Sequence, residues 1–168
     1  MRPGLLILLL VILFSAGCGR DEFSPKSREI AEWAITRGGA VNITGQKEEL
    51  RDVTLLPNEP FGITAINFTN ADLAGKDFKR LSEIDTLDRL SLYGTKISDE
   101  EIGFLLGIHL ITELELSSTE ITDKALETLG ELKTLKKLYL HNTLVTKEGV
   151  DAFQRVLPGC TVFADLTN

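Results

Sequence analysis

Between Ile63 and Pro158 the apolar positions of the chain recur every 24 residues without a gap. One column reads Ile63, Leu87, Ile111 and Leu135. Three places later it is Ile66, Leu90, Leu114 and Leu138, and two further on Phe68, Leu92, Leu116 and Leu140. A column of Ala71, Thr95, Thr119 and Thr143 then precedes Leu73, Ile97, Ile121 and Val145. The second half of each unit keeps step in Phe78, Ile102, Leu126 and Val150, in Leu81, Leu105, Leu129 and Phe153, and in Ile84, Ile108, Leu132 and Val156. Chance does not align so many columns over four rows, and a fixed period of this length marks a stacked repeat.

Each unit changes period partway. The alternation at Leu90 and Leu92 predicts a short strand with both leucines on one face. Ser98, Thr122 and Thr146 then stand where a helix N-cap belongs, and Ser98 with Glu101 has capping-box spacing. The unit therefore reads strand, turn, short helix, and the fold class is α/β. One unit alone cannot cover its apolar face, so each copy serves as core for its neighbours.

The flanks read as caps. "SPKSREIAEWAITRGG" predicts a helix with Ser24 as N-cap, Pro25 in the first turn and Gly38 just past the end. Its apolar stripe is Ile30, Trp33 and Ala34, with Trp33 as the plug over the first repeat. "AVNITG" and "LRDVTLL" predict two strands joined by the polar "QKEE". At the far end Val162 and Ala164 fall 24 residues after Leu138 and Leu140, so "CTVFAD" predicts a terminal strand with no helix of its own.

The pattern L-x-x-L-x-L-x-x-T-x-I resembles the leucine-rich repeat, in the short 24-residue form of bacterial proteins, over residues 63–158. Thr stands where that family has Asn or Cys, and its hydroxyl can serve in part. Ala71 lacks one, so the first repeat is expected to be looser. The resemblance implies a solenoid of short parallel strands plus short helices. Four repeats would span 63–158, with an N-terminal helix and strand cap over 27–62 and a C-terminal cap strand over 159–168.

The front of the chain lies outside this pattern. Arg2, the apolar run Leu5 to Phe14 and the small residues Ser15, Ala16 and Gly17 have the form of a secretory signal peptide over residues 1–17. The run is too short to span a bilayer, which takes about 20 residues. "SAGC" also resembles the lipobox of bacterial lipoproteins. Gly17 and Cys18 match it, while Ser15 stands in place of the usual Leu. That resemblance implies acylation of Cys18 and a lipid-anchored protein in the cell membrane or outer membrane, facing the periplasm or the outside. The same small residues suit the ordinary signal peptidase, which would cut the same bond and leave a secreted protein. Residues 18–26 form a polar tether. The other cysteine, Cys160, reads as a small buried hydrophobe.

The chain is 43% hydrophobic with a net charge of -7, which excludes disorder and binding to nucleic acid by charge. Loss of residues 1–17 removes Arg2 and no acid. Eighteen Lys plus Arg become 17 against 25 acids, and -7 becomes -8. Attachment to a membrane would therefore run through acylated Cys18 and not through the protein surface. Catalytic motifs are missing: there is no H-E-x-x-H, glycine-rich phosphate loop or G-x-S-x-G. His109 and His141 fall at different repeat positions. Asp99, Glu100 and Glu101 open a helix, where negative charge is favourable, and Asp72 and Asp77 read as turn acids. No cofactor, metal or small-molecule substrate is expected.

What remains is a surface. Residues alternating with the strand leucines share the opposite face. Stacking sets them in rows: Ala65, Asn67, Thr69; Arg89, Ser91, Tyr93; Glu113, Glu115, Ser117; Lys137, Tyr139, His141. The resemblance implies that this concave sheet binds a protein partner, and Arg and Tyr are hot-spot residue types. The candidate contact residues are Arg89, Tyr93, Glu113, Glu115, Lys137, Tyr139 and His141. The reading is a non-enzymatic protein-interaction module of a bacterial envelope. A plain solvated face, a structural or self-associating envelope lipoprotein, and a glycosidase built on Glu113 and Glu115 are the alternatives. Their Cα atoms sit about 6.5–7 Å apart along one strand, which suits an acid pair, but an open sheet supplies no water-excluding pocket.

Overall fold

The computed structural model describes residues 26–165. The signal segment, Cys18, Ser24 and Pro25 lie outside them.

Six strands form one sheet in chain order: β1 (Ala40–Ile43), β2 (Ile63–Asn67), β3 (Arg89–Ser91), β4 (Glu113–Glu115), β5 (Lys137–Tyr139) and β6 (Thr161–Phe163). β1 runs antiparallel to β2, and every later pair is parallel. The register carries the sequence period directly, because Leu90, Leu114, Leu138 and Val162 are successive cross-strand partners. Parallel strands need a crossover, and here each crossover is a helix: α2 (Gly75–Leu81), α3 (Asp99–Leu105), α4 (Asp123–Leu129) and α5 (Lys147–Val156). Each helix packs on the next. The core lies between sheet and helices, where Leu87, Leu92, Ile97, Ile102, Leu105, Leu114 and Leu116 are fully buried.

A turn closes each strand. Asn70, Gly94, Ser118 and Asn142, again 24 apart, hold positive φ of 58°, 66°, 58° and 52°. This left-handed residue redirects the chain from sheet to helix, and Asn and Gly tolerate it best. The threonine that follows ties the turn down: Thr95 and Thr143 each donate a hydroxyl to the strand-end carbonyl, of Leu92 and Leu140, at 2.8 Å. Ala71 has no hydroxyl to give, yet its N–H still donates to the Phe68 carbonyl at 2.9 Å, so the first turn keeps the backbone half of the closure.

The helix starts are coupled between repeats. Asp99 accepts from the Thr122 N–H at 2.8 Å and from the Thr122 hydroxyl at 2.7 Å. Asp123 does the same for Thr146, at 2.7 and 2.6 Å. The first acid of one helix therefore fixes the N-cap of the next. At the α2–α3 step Gly75 occupies the place of that Asp, and Ser98 relies on its own helix: its N–H donates to Glu101 at 3.0 Å and its hydroxyl at 2.6 Å.

α1 (Ser27–Thr36) covers the N-terminal end. Trp33 meets Phe68 edge-on, with centroids 5.4 Å apart at 65°, and the Arg80 guanidinium lies 5.6 Å above the indole. Trp33 thus packs on Phe68, the first residue of its column.

Four particulars depart from the sequence reading. Lys26 stands at the N-cap of α1 and gives no side-chain cap. "LRDVTLL" is not a strand. Leu50 makes a single bridge to Val41, and Asp52 then accepts from the Thr54 N–H at 2.8 Å, winding Val53–Leu55 into a 3-10 turn. Asp77 is no ordinary turn acid: it is 4% exposed, 3.3 Å from Arg37 at the end of α1, and accepts from the Ala74 N–H at 2.9 Å. Finally, Val156 leaves its column. Ile84, Ile108 and Leu132 are buried, whereas Val156 is 58% exposed and Leu157 is buried instead. α5 is ten residues long against seven in α2, α3 and α4, so the chain turns inward later than in the earlier rows.

Candidate partner-binding face

The parallel register places the seven residues singled out in the sequence on one face in three rows. Arg89, Glu113 and Lys137 are cross-strand partners, as are Ser91, Glu115, Tyr139 and Phe163. Tyr93, Ser117 and His141 follow just past the strand ends, linked through the Gly94 N–H to the Ser117 carbonyl at 3.0 Å and the Ser118 N–H to the His141 carbonyl at 2.8 Å. Arg89, Lys137, Tyr93 and His141 are exposed, and Glu113, Glu115 and Tyr139 are half-buried. Ala65 and Ser117 belong to the same face by alternation but are buried. Ser117 spends its hydroxyl accepting the His141 N–H at 2.9 Å.

Most charges on this face are already engaged. Lys137 lies 3.3 Å from Glu113, and His141 Nδ1 lies 2.8 Å from Asp165. Glu115 accepts from the Ser117 N–H at 2.7 Å. Both candidate glycosidase carboxylates therefore have structural partners. Arg89 has no carboxylate within ion-pair distance among the described residues, so its guanidinium keeps its bidentate capacity for an incoming group.

Two contributors escaped the sequence reading. Phe163 stacks on Tyr139 with centroids 4.7 Å apart at 11°. Together they make an aromatic platform at the β6 end. Burial there, followed by the Glu113 carboxylate, raises the Tyr139 pKa. Phe163 and Asp165 stand 24 residues after Tyr139 and His141, and extending the outward rows by one step reveals them. The second contributor is the loop after β1. Lys47 and Glu49 overhang β2 and β3, Glu49 accepting from the Asn67 amide at 3.3 Å. With Arg89, Glu113 and Glu115 they line a concavity of about 360 Å³. No periodicity announces this, because the loop lies outside the repeat. Among the described residues no three His, Cys, Asp or Glu side chains gather as a metal site.

The sequence matches no protein-family model, and no curated protein is similar to it in sequence. A solved structure does resemble the fold. Actin-binding site 2 of leiomodin-1 superposes with a TM-score of 0.52 at 21% identity, over 62% of this chain and 72% of that one. The likeness and the parallel strand–helix alternation agree on a leucine-rich-repeat-like α/β fold.

Proposed function

We propose that the chain is a non-enzymatic protein-interaction module that binds a protein partner through the concave sheet. In this reading residues 63–158 are four leucine-rich repeats of a solenoid, 27–62 its N-terminal cap and 159–168 its C-terminal cap strand. Residues 1–17 are a signal peptide and 18–26 a tether. Cys18 carries the acyl anchor, and the protein sits in a bacterial envelope as a lipid-anchored protein. Release as a secreted protein is the alternative fate of the same cut. The single observation that carries the binding role is the face itself: an unpaired Arg89, an exposed Tyr93 and a stacked Tyr139–Phe163 platform, spaced across adjoining strands. Aromatic and Arg anchors of this kind dominate interface energies. The likeness to a domain named for binding actin is in keeping with a protein partner, without naming one here.

The test is a crosslinking pull-down from native envelopes, with Arg89→Ala/Tyr93→Ala as the comparison. These two side chains are exposed, so their loss leaves the melting curve unchanged, whereas Tyr139 is packed on Phe163 and its removal confounds folding with binding. A partner captured by the wild type and lost by the variant is expected. Equal capture by both sinks the concave face as the site. A second reading, a self-associating envelope lipoprotein, is favoured by the outer edge of β6, which pairs with no strand among the described residues, and by Phe163, 38% exposed. Concentration-dependent sedimentation of the wild type, relieved by Phe163→Lys, would support it.

A further inference from the structure

The opposite side of the molecule carries a feature that the concave face does not explain. Between α4 and α5 lies a groove of about 310 Å³. Its floor is Leu126 and Phe153, both 2% exposed, and its wall is Val156, 58% exposed.

The repeat shows what opens the groove here. The helix position held by Asp77, Glu101 and Ala125 is Gly149 in α5, and the position held by Arg80, Phe104 and Thr128 is Ala152. At both places the last helix carries the smallest side chain of its column. The same helix runs three residues further and turns Val156 outward, over Gly130, where a Cβ would meet the Val156 side chain at 3.2 Å. An apolar residue is thus displaced from the core into the groove wall.

The rim is acidic. Asp123, Glu127 and Glu148 line the groove and no Lys or Arg does. Asp123 is held by Thr146, but Glu127 and Glu148 have no cation within ion-pair distance among the described residues. Lys147, next to Glu148, is committed to Asp151 at 2.8 Å. An apolar slot bordered by carboxylates with no cation on the rim complements one chemistry: an apolar side chain flanked by positive charge. The volume is at the small end for ligand sites, about 300–1,000 Å³, and suits one or two side chains of a peptide.

We propose that the α4–α5 groove is a second binding site, which takes a segment of a partner protein presenting a large apolar side chain beside lysine or arginine. It is independent of the concave face and stands whether or not that face binds.

The test uses the full chain in a non-ionic detergent and a fluorescein-labelled, capped hexapeptide of alternating lysine and leucine, followed by anisotropy. Matched peptides replace lysine with glutamate, or leucine with serine. Two variants close the site in different ways. Ala152→Phe fills the slot with the residue that α3 already tolerates at the same helix position, Phe104. Glu127→Gln/Glu148→Gln removes the rim charge and keeps the shape. Expected is saturable binding of the lysine–leucine peptide, at least about tenfold weaker, or about 1.4 kcal/mol, for either matched peptide and for either variant, and weakened by salt. No saturable binding of that peptide overturns the proposal, as does equal binding of the glutamate peptide or an unchanged affinity in both variants. Self-association that Ala152→Phe abolishes would also overturn it, by assigning the groove to a second copy.

Discussion

The Asp-to-Thr link between successive helices is open to a direct energetic test. Asp99 joins α3 to the N-cap of α4 by two charge-assisted hydrogen bonds, 2.8 Å to the Thr122 N–H and 2.7 Å to its hydroxyl. Such bonds contribute about 1.5–3 kcal/mol each when buried. Asp99 is half-buried, so solvent competes and the pair contributes about 2–3 kcal/mol. Its charge in the first turn of α3 adds about 0.3–1 kcal/mol. Asp99→Ala should therefore cost about 2–4 kcal/mol in urea unfolding followed by circular dichroism, with the m-value unchanged. Asp99→Asn keeps an acceptor for the Thr122 N–H and loses the charge, so about 1 kcal/mol is expected. The neighbouring Glu100 is exposed, and Glu100→Ala should stay within about 0.5 kcal/mol of wild type. A double-mutant cycle of Asp99→Ala with Thr122→Val isolates the hydroxyl bond and should return a coupling near 1 kcal/mol. If Asp99→Ala is no worse than Glu100→Ala, or the cycle returns no coupling, the link is a contact without energetic weight and the reasoning fails.

Gly149 in α5 should invert the usual helix rule. Gly→Ala in a helix commonly stabilises by about 0.5–1 kcal/mol, but a Cβ here would overlap the Asp123 carboxylate, so Gly149→Ala should destabilise. In an Asp123→Ala background the sign should return to the ordinary one. A stabilised single variant in thermal melts contradicts the geometry. Cys160 offers a pH test. Burial pushes its thiol up to about 11 from a reference of 9.0. The unfolded chain ionises it first, so the stability tied to the neutral thiol is complete below pH 9 and lost as the pH rises toward 11. Alkylation at pH 8 should accordingly be slow in the native chain and fast in urea. Equal rates would show that the thiol is not buried.

The legible part of this protein was the part that repeats. Leu90, Leu114 and Leu138 see the same neighbours above, below and behind, so one environment selects one residue type and the sequence shows it as a column. That same translation set Arg89, Glu113 and Lys137 side by side, and put Tyr139 in line with the Phe163 that the outward rows left out. The left-handed column of Asn70, Gly94, Ser118 and Asn142 was equally regular, but its signal lies in backbone conformation and not in hydrophobicity, so an apolar search passes over it.

Tertiary structure decided what breaks the translation. Asp99 and Asp123 reach across to the next repeat, a pairing that turns on the distance between two helix starts. Arg89 was left without a carboxylate while Lys137 took Glu113, because side-chain partners on adjoining strands depend on which rotamers meet. The loop with Lys47 and Glu49 reaches over the sheet by doubling back after β1, where Leu50 bridges to Val41 and Glu49 accepts from Asn67. At the other end α5 runs three residues longer than α4, and Val156 leaves the core to Leu157. A periodic sequence determines its own interior, since every interior residue is a copy of its neighbour's problem. The ends and the cross-repeat contacts have no such copy, and only the assembled chain settles them.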